Sequence, residues 1–369
     1  MEKAKKRESR GRAVRNKHRS YTKNRSALRK EGAVKLLSPA NIGTVPSSYE
    51  EVLLKDMMHG NEMGVNEQVF ALTSMLASLT PKLRDLYFSH GFAVGKSLHK
   101  VVSSEAGNKA LTYMPLLGEF FTKAGYKDIS YKRAYSGYEF EIRSTPQIEL
   151  GTQTHMFEAG IISGFMSSES REIVMFTESK CRSDGADSCI FIEDRGQERA
   201  MSTKRPDSGV LMDGFARYVL ETADSNAIHQ MSYGYYSLAS DALLHNEYAS
   251  GINDIAYVAG SALGSGLRTE YEGISSSAHI SRLKGLIALL NFGNITIKRI
   301  APISLRIEFD GLMAKKGIVL LASNFINGML NAYLGSRLIE TRHSSFGKYT
   351  TDIREAVRGK SKAKRTQKR

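Results

Sequence analysis

The chain has 369 residues, 41% of them apolar and 24% charged, which suits a globular protein with an ample core and room for two domains. Its net charge of +14 is confined to the ends: residues 1–36 hold fourteen Lys or Arg against three acids, residues 353–369 hold eight against one, and the body between is net acidic. No run of eighteen apolar residues occurs and no apolar core follows the basic N-terminus, so neither a membrane span nor a secretory leader is expected, and a cytoplasmic location is.

Residues 1–44 interleave Arg and Lys with Ser, Gly and Asn, too polar to bury, which predicts a disordered basic arm. Lys5, Lys6, Arg7, Arg10, Arg12, Arg15, Lys17 and Arg19 in it are candidate contacts to nucleic acid or a ribonucleoprotein. Lys362, Lys364, Arg365, Lys368 and Arg369 in the tail, residues 353–369, join them. Such contacts act by counterion release without base reading. A solubilising tail, or an arm that docks an acidic protein face, has the same composition.

Helical periodicity starts at Tyr49 and continues over residues 68–79 and 83–101. Gly91-Phe-Ala-Val-Gly95-Lys-Ser97 invites comparison with a phosphate loop, but it has three residues between its glycines where the motif needs four, and it lies inside a helical pattern. The glycines instead predict the close approach of another helix or strand. Residues 116–124 read as a helix stopped by Gly125 at the C′ position. Strands follow at 128–133 and 138–143, the second alternating and hence half-exposed. A helix from His155 to Gly164, a strand at 173–177 and a strand at 190–192 complete an α+β order, helices on an antiparallel sheet.

Between the last two strands lies Glu178-Ser-Lys-Cys181-Arg-Ser-Asp-Gly185-Ala-Asp-Ser-Cys189, which holds both cysteines of the chain. Two thiols there have three fates: zinc ligation, a reduced buried pair, or a disulfide or redox switch. A reducing compartment and the flanking Glu and Gly favour metal. A closed structural zinc site takes four donors. Glu178 at the strand end and His155 at the start of the adjacent helix complete the set His155, Glu178, Cys181 and Cys189, with Gly185 turning the loop back. One structural zinc is the expected cofactor.

Gly160-Ile-Ile-Ser-Gly164 followed by Glu178-x2-Cys181-x3-Gly185-x3-Cys189-x-Phe191 resembles the signature of the 4-vinyl reductase domain family. That α/β small-molecule-binding module is found in archaeal stand-alone proteins, in a bacteriochlorophyll-pathway protein and as the sensor of aromatic-responsive transcription activators. The resemblance implies a metal held by Cys, Glu, Cys and Cys, with His155 here in the place of the first Cys. It also implies an apolar effector pocket, for which Tyr113, Phe120, Phe121, Tyr131, Tyr135, Phe157, Ile161 and Phe165 are candidates, although their spacing equally describes core filling. Vesicle-tethering subunits share the implied fold, and paired modules are common in it.

Residues 196–210, rich in charge, read as a linker, and beyond them the pattern repeats. Gly91-x3-Gly95-x2-Leu98 is matched by Gly260-x3-Gly264-x2-Leu267, and Ile129-x2-Lys132-Arg133 by Ile295-x2-Lys298-Arg299. Phe140-x-Ile142 is matched by Leu305-x-Ile307, and Glu178-x2-Cys181-x3-Gly185-x3-Cys189 by Glu340-x2-His343-x3-Gly347-x3-Thr351. A period of about 165 residues predicts two tandem copies, 45–195 and 211–352. The chain is then a built-in pseudo-dimer, which can itself form a homodimer. The second copy has lost the metal set: Thr351 replaces Cys189, and the His155 position falls near Val319 in a strand-like run. Tyr233-Gly-Tyr-Tyr236 offers base-stacking rings or, more often, helix anchors with hydroxyls at the surface. No Ser-His-Asp, Cys-His or dinucleotide pattern can be assembled, so a non-enzymatic regulator with a structural zinc and nucleic-acid-binding arms is expected. The alternatives are a reductase or accessory protein for a hydrophobic or aromatic substrate, and a protein-interaction scaffold.

Overall fold

The computed structural model describes residues 48–60, 64–106, 113–134, 137–144, 154–194, 210–211, 214–215, 217–219, 229–244, 249–270, 294–301, 304–310, 316–334, 338–345 and 348–355. By its contacts the chain divides between residues 41 and 42, and every described residue belongs to the second unit. Residues 1–47 and 356–369 with the basic candidates they hold, residues 196–209 of the linker and Tyr135 lie outside the described residues; the first three residues of the expected tail, 353–355, end a strand instead.

Helix α1 (Ser48–His59) and strand β1 (Gly64–Asn66) lead into α2 (Glu67–Ser78). Every residue of α2 after the first is buried. A helix enclosed on all sides must satisfy its own polar groups. The Thr73 hydroxyl accordingly donates to the Val69 carbonyl at 3.1 Å, and Ser78 to Ser74 at 2.8 Å. Helix α3 (Pro81–Ala106) starts on a capped turn: Thr80 Oγ1 accepts the Leu83 N–H at 3.2 Å, and Pro81 takes the first helical position, where a missing N–H costs little. Helix α4 (Tyr113–Ala124) stops as Gly125 foretold, with Gly125 left-handed at φ +108°. The Tyr126 N–H reaches the Phe121 carbonyl and the Gly125 N–H reaches that of Thr122, both at 3.0 Å.

Strands β2 (Lys127–Ala134) and β3 (Gly137–Ser144) form a hairpin, followed by α5 (Met156–Ser170), β4 (Met175–Lys180) and β5 (Cys189–Asp194). They make a four-stranded antiparallel sheet ordered β2-β3-β5-β4. In β3, Phe140 and Ile142 are buried and Arg143 is exposed, the half-exposed alternation expected of this strand.

After the linker come β6 (Gln230–Ser232), α6 (Tyr233–Leu244) and α7 (Ala249–Glu270). Then follow β7 (Asn294–Ala301), β8 (Ser304–Asp310), α8 (Lys316–Leu334), β9 (Leu338–Ser345) and β10 (Lys348–Glu355). The second sheet is antiparallel with order β7-β8-β10-β9, the order of the first. Strands β1 and β6 pair with each other: Gly64 faces Ser232, Val65 faces Met231 and Asn66 faces Gln230.

The matched glycines explain how the helices cross. A Cβ on Gly91 or Gly95 of α3 would overlap the carbonyl oxygens of Phe157 and Ile161 on α5, and one on Gly260 or Gly264 of α7 would overlap those of Phe325 and Met329 on α8. Both helix pairs therefore pack backbone to backbone. The segment around Val319 is not the expected strand but the start of α8. A continuous apolar run carries no period that separates a buried helix from a buried strand, and here length decides for the helix. By the glycine contacts the counterpart of His155 is Ser323, which is buried inside that helix.

A candidate metal centre

Strand β4 alternates so that Phe176 and Glu178 turn inward. At its end the pairing with β5 slips between Glu178 and Lys180, and this irregularity lets the chain leave the sheet at Cys181. Cys181 is extended (φ −136°, ψ 134°) and caps a single 3-10 turn, Arg182–Asp184. Its carbonyl accepts the N–H groups of Asp184 at 3.0 Å and Ala186 at 3.1 Å. Gly185 reverses the chain in the left-handed region at φ +87°, the turn expected of it. The loop returns Cys189 as the first residue of β5, buried on the same side of the sheet. His155 is the N-cap residue of α5 and projects into this loop.

Nδ1 of His155 lies 2.9 Å from Glu178 Oε1, 3.4 Å from Cys181 Sγ and 3.5 Å from Cys189 Sγ. All four donor atoms fall within 4.8 Å of one another, and all four residues are buried. A tetrahedral metal with arms of about 2.0–2.3 Å has edges of roughly 3.3–3.8 Å. The two sulfur separations, 3.4 and 3.5 Å, lie in that range and the 2.9 Å to Glu178 is a direct hydrogen bond, so the group could hold a metal ion. Neither cysteine is in a disulfide. The Arg182 N–H points at Cys189 Sγ from 3.4 Å, an outer contact of the kind that steadies a thiolate ligand. Thr154 Oγ1 stands 3.5 Å from His155 Nδ1 and 3.1 Å from Ser183 Oγ.

The electrostatics describe four ionisable groups sharing too small a space. Burial pushes the Glu178 carboxyl up to about 8, against the pull of His155. Cys189 is drawn down to about 5, first by the Cys181 thiol and then by His155. Cys181 is raised, first by its bond to Cys189 and then by burial. Burial alone would lower the His155 imidazole, but Cys189, Glu178 and Cys181 together outweigh it and hold the ring well above its ordinary value. Removing such groups from water is costly unless a cation or matched protons compensate. Arg84, also buried, is within electrostatic reach: burial lowers its guanidinium, while Glu178, Asp85 and Cys181 favour its charge. A dication held by one carboxylate and two thiolates carries one net negative charge, which Arg84 would balance.

Of the proposed pocket residues, Phe120, Phe121, Phe157, Ile161 and Phe165 are fully buried and Tyr113 is half-buried. Phe120 packs on Phe121 at 5.5 Å between centroids, and Phe165 on Tyr113 at 6.1 Å and on His99 at 5.4 Å. Tyr131 is 43% exposed on the edge strand β2, so it lines no interior pocket. The Tyr233–Tyr236 cluster is also corrected. Tyr235 and Tyr236 are buried, and the Tyr235 hydroxyl turns inward to Glu158 Oε1 at 3.1 Å. Tyr126 donates to the same oxygen. The fully buried Glu158 escaped the sequence reading because its partner Tyr235 lies 77 positions away. Three other histidines have structural partners: His90 meets the Leu238 carbonyl at 3.0 Å, His99 meets Glu169 at 3.3 Å and His229 meets Glu67 at 3.2 Å.

In the second sheet Glu340 faces Ile353, which faces Leu305, just as Glu178 faces Phe191, which faces Phe140. His343, however, is paired in regular register with Thr350, and Thr351 with Arg342, where the first sheet has its cysteine loop. Among the described residues, no helix is long and apolar enough to cross a membrane. No protein-family profile, curated protein or solved structure matches the chain.

Proposed function

We propose that the chain is a non-enzymatic regulatory protein: two copies of one module, a structural zinc in the first, and basic arms that engage nucleic acid or a ribonucleoprotein in the cytoplasm. One observation carries the metal assignment. His155, Glu178, Cys181 and Cys189 come from a helix cap, a strand end, a loop and a second strand, yet their donor atoms converge out of contact with water. Four protein donors leave no open position for water or substrate, so the ion would hold α5 to the β4–β5 loop and not take part in turnover. Two thiolates with an imidazole nitrogen and one carboxylate oxygen suit zinc. The same constellation supports the resemblance to the 4-vinyl reductase domain, with His155 as its departure. The shared strand order and the matching glycine crossings support the reading of tandem copies.

For the arms the support is charge. All of the chain's positive excess resides in residues 1–36 and 353–369, and a polycation gains affinity for phosphate chains by releasing condensed counterions. A gel shift at two salt concentrations tests this. Full-length protein is expected to bind single- and double-stranded probes with a steep salt dependence, and protein lacking residues 1–40 and 353–369 is expected to lose at least about tenfold in affinity at low salt. Equal binding by both proteins would remove the nucleic-acid assignment and leave the zinc-clamped body as a protein-interaction scaffold.

A further inference from the structure

The hydrogen bond from Tyr235 to Glu158 joins the second half of the chain to the first, and it has no mirror image. β1 and β6 cross symmetrically about Val65 and Met231, and each runs directly into a helix of twelve residues, α2 and α6. Tyr235 is the third residue of α6, and the third residue of α2 is Val69. On the other side of the contact, Glu158 stands two positions before Gly160, whose missing Cβ admits the Phe88 carbonyl. Ile326 stands two positions before Gly328, which admits the Tyr257 carbonyl in the same way. Glu158 and Tyr235 are thus answered across the pseudo-two-fold by Ile326 and Val69, and all four side chains are fully buried.

We infer that Glu158 and Tyr235 act as a pairing code that makes the first half accept the second half and refuse a copy of itself. This rests on the reading of the two halves as copies of one module. In the native pairing the polar contact is satisfied, and both positions that answer it, Val69 and Ile326, are buried and apolar. Two first halves brought together by the same symmetry would set Glu158 against Val69 twice, and each carboxylate would keep its Tyr126 donor but lose the second hydroxyl. Two second halves would set the Tyr235 hydroxyl against Ile326 twice, burying it without an acceptor. An unmet buried polar group is penalised more than a made one is rewarded, so discrimination comes from the wrong pairs and not from extra strength in the right one. The chain therefore closes its module pair within itself and does not link to other chains through like halves.

The test uses the full chain with a protease site placed between residues 196 and 209, cleaved after folding. Light and heavy isotope-labelled samples are then mixed under mild denaturant, returned to buffer and read by native mass spectrometry. Unlike pairs alone are expected, with label exchanged between them. Tyr235→Phe keeps the ring and removes the hydroxyl, and about a tenfold rise in like pairs is expected, the change that follows loss of one buried hydrogen bond. Glu158→Gln, which keeps an acceptor oxygen, is expected to raise them less. Like pairs already abundant in the unaltered protein, or a Tyr235→Phe protein that still forms unlike pairs alone, would overturn the code. Fragments that separate into monomers would instead overturn the paired-module reading beneath it.

Discussion

The β4–β5 pair and the β9–β10 pair occupy the same place in their sheets and are built in opposite ways. In the second half the hairpin runs in unbroken register from Leu338 opposite Glu355 to Ser345 opposite Lys348. In the first half the ladder breaks after Glu178, and the chain makes a 3-10 turn through Arg182–Asp184 before rejoining at Cys189. The β9–β10 ladder of the second half thus keeps its backbone pairing along its whole described length. The first half gives up ladder bonds and buries two thiols, a carboxyl and an imidazole in exchange for a place that could hold a cation. The helix crossings are alike in both halves, so what differs is how the sheet end is tied to the helix above it.

The largest expected effect tests that difference. Chelation of the metal, or His155→Ala with Cys181→Ala, is expected to lower stability by about 3 kcal/mol or more, since a broken set of buried charges is left behind. For a unit of about 150–250 residues melting on its own that is roughly 6–12 °C in Tm, and less if all 369 residues melt together. Hydrogen exchange should show lost protection in β4 and β5 and unchanged protection in β9 and β10. Equal loss in both hairpins would erase the distinction.

A smaller effect tests the likeness. Gly95→Ala and Gly264→Ala each place a methyl group on a facing carbonyl, of Ile161 and of Met329. Each is expected to cost about 1–3 kcal/mol by overpacking, with zinc content unchanged. Denaturant melts of both variants check this, and a harmless Gly264→Ala would show that the second crossing is not built as the first.

The smallest concerns alkaline pH. Burial raises the Tyr236 hydroxyl to about 12 from 10.0. A raised folded value means its contribution is complete below pH 10 and is lost as pH climbs through about 12. Tyr236→Phe should therefore flatten the fall in stability between those limits, followed by tyrosinate absorbance during unfolding. An unchanged alkaline slope would show that Tyr236 ionises no later folded than unfolded.

Much of this was legible in the sequence, because scarce residue types carry local meaning. Gly125 announces a helix stop, paired small residues announce a helix crossing, and two cysteines gathered around Gly185 with Glu178 announce a ligand set. Nonlocal facts were not legible. The inward turn of Tyr235 depends on Glu158, far off in sequence, and the exposure of Tyr131 depends on β2 being an edge strand. The apolar stretch after Lys316 gives no period to separate helix from strand. The donor Ser323, which replaces His155, was hidden for the same reason, since the wrong element sets the wrong equivalence.

X-ray absorption on the full-length protein purified without added metal probes the centre most directly. The account predicts one zinc per chain with two sulfur donors near about 2.3 Å and two nitrogen or oxygen donors near about 2.0–2.1 Å. A metal-free protein whose melting is unaltered by His155→Ala with Cys181→Ala would contradict it.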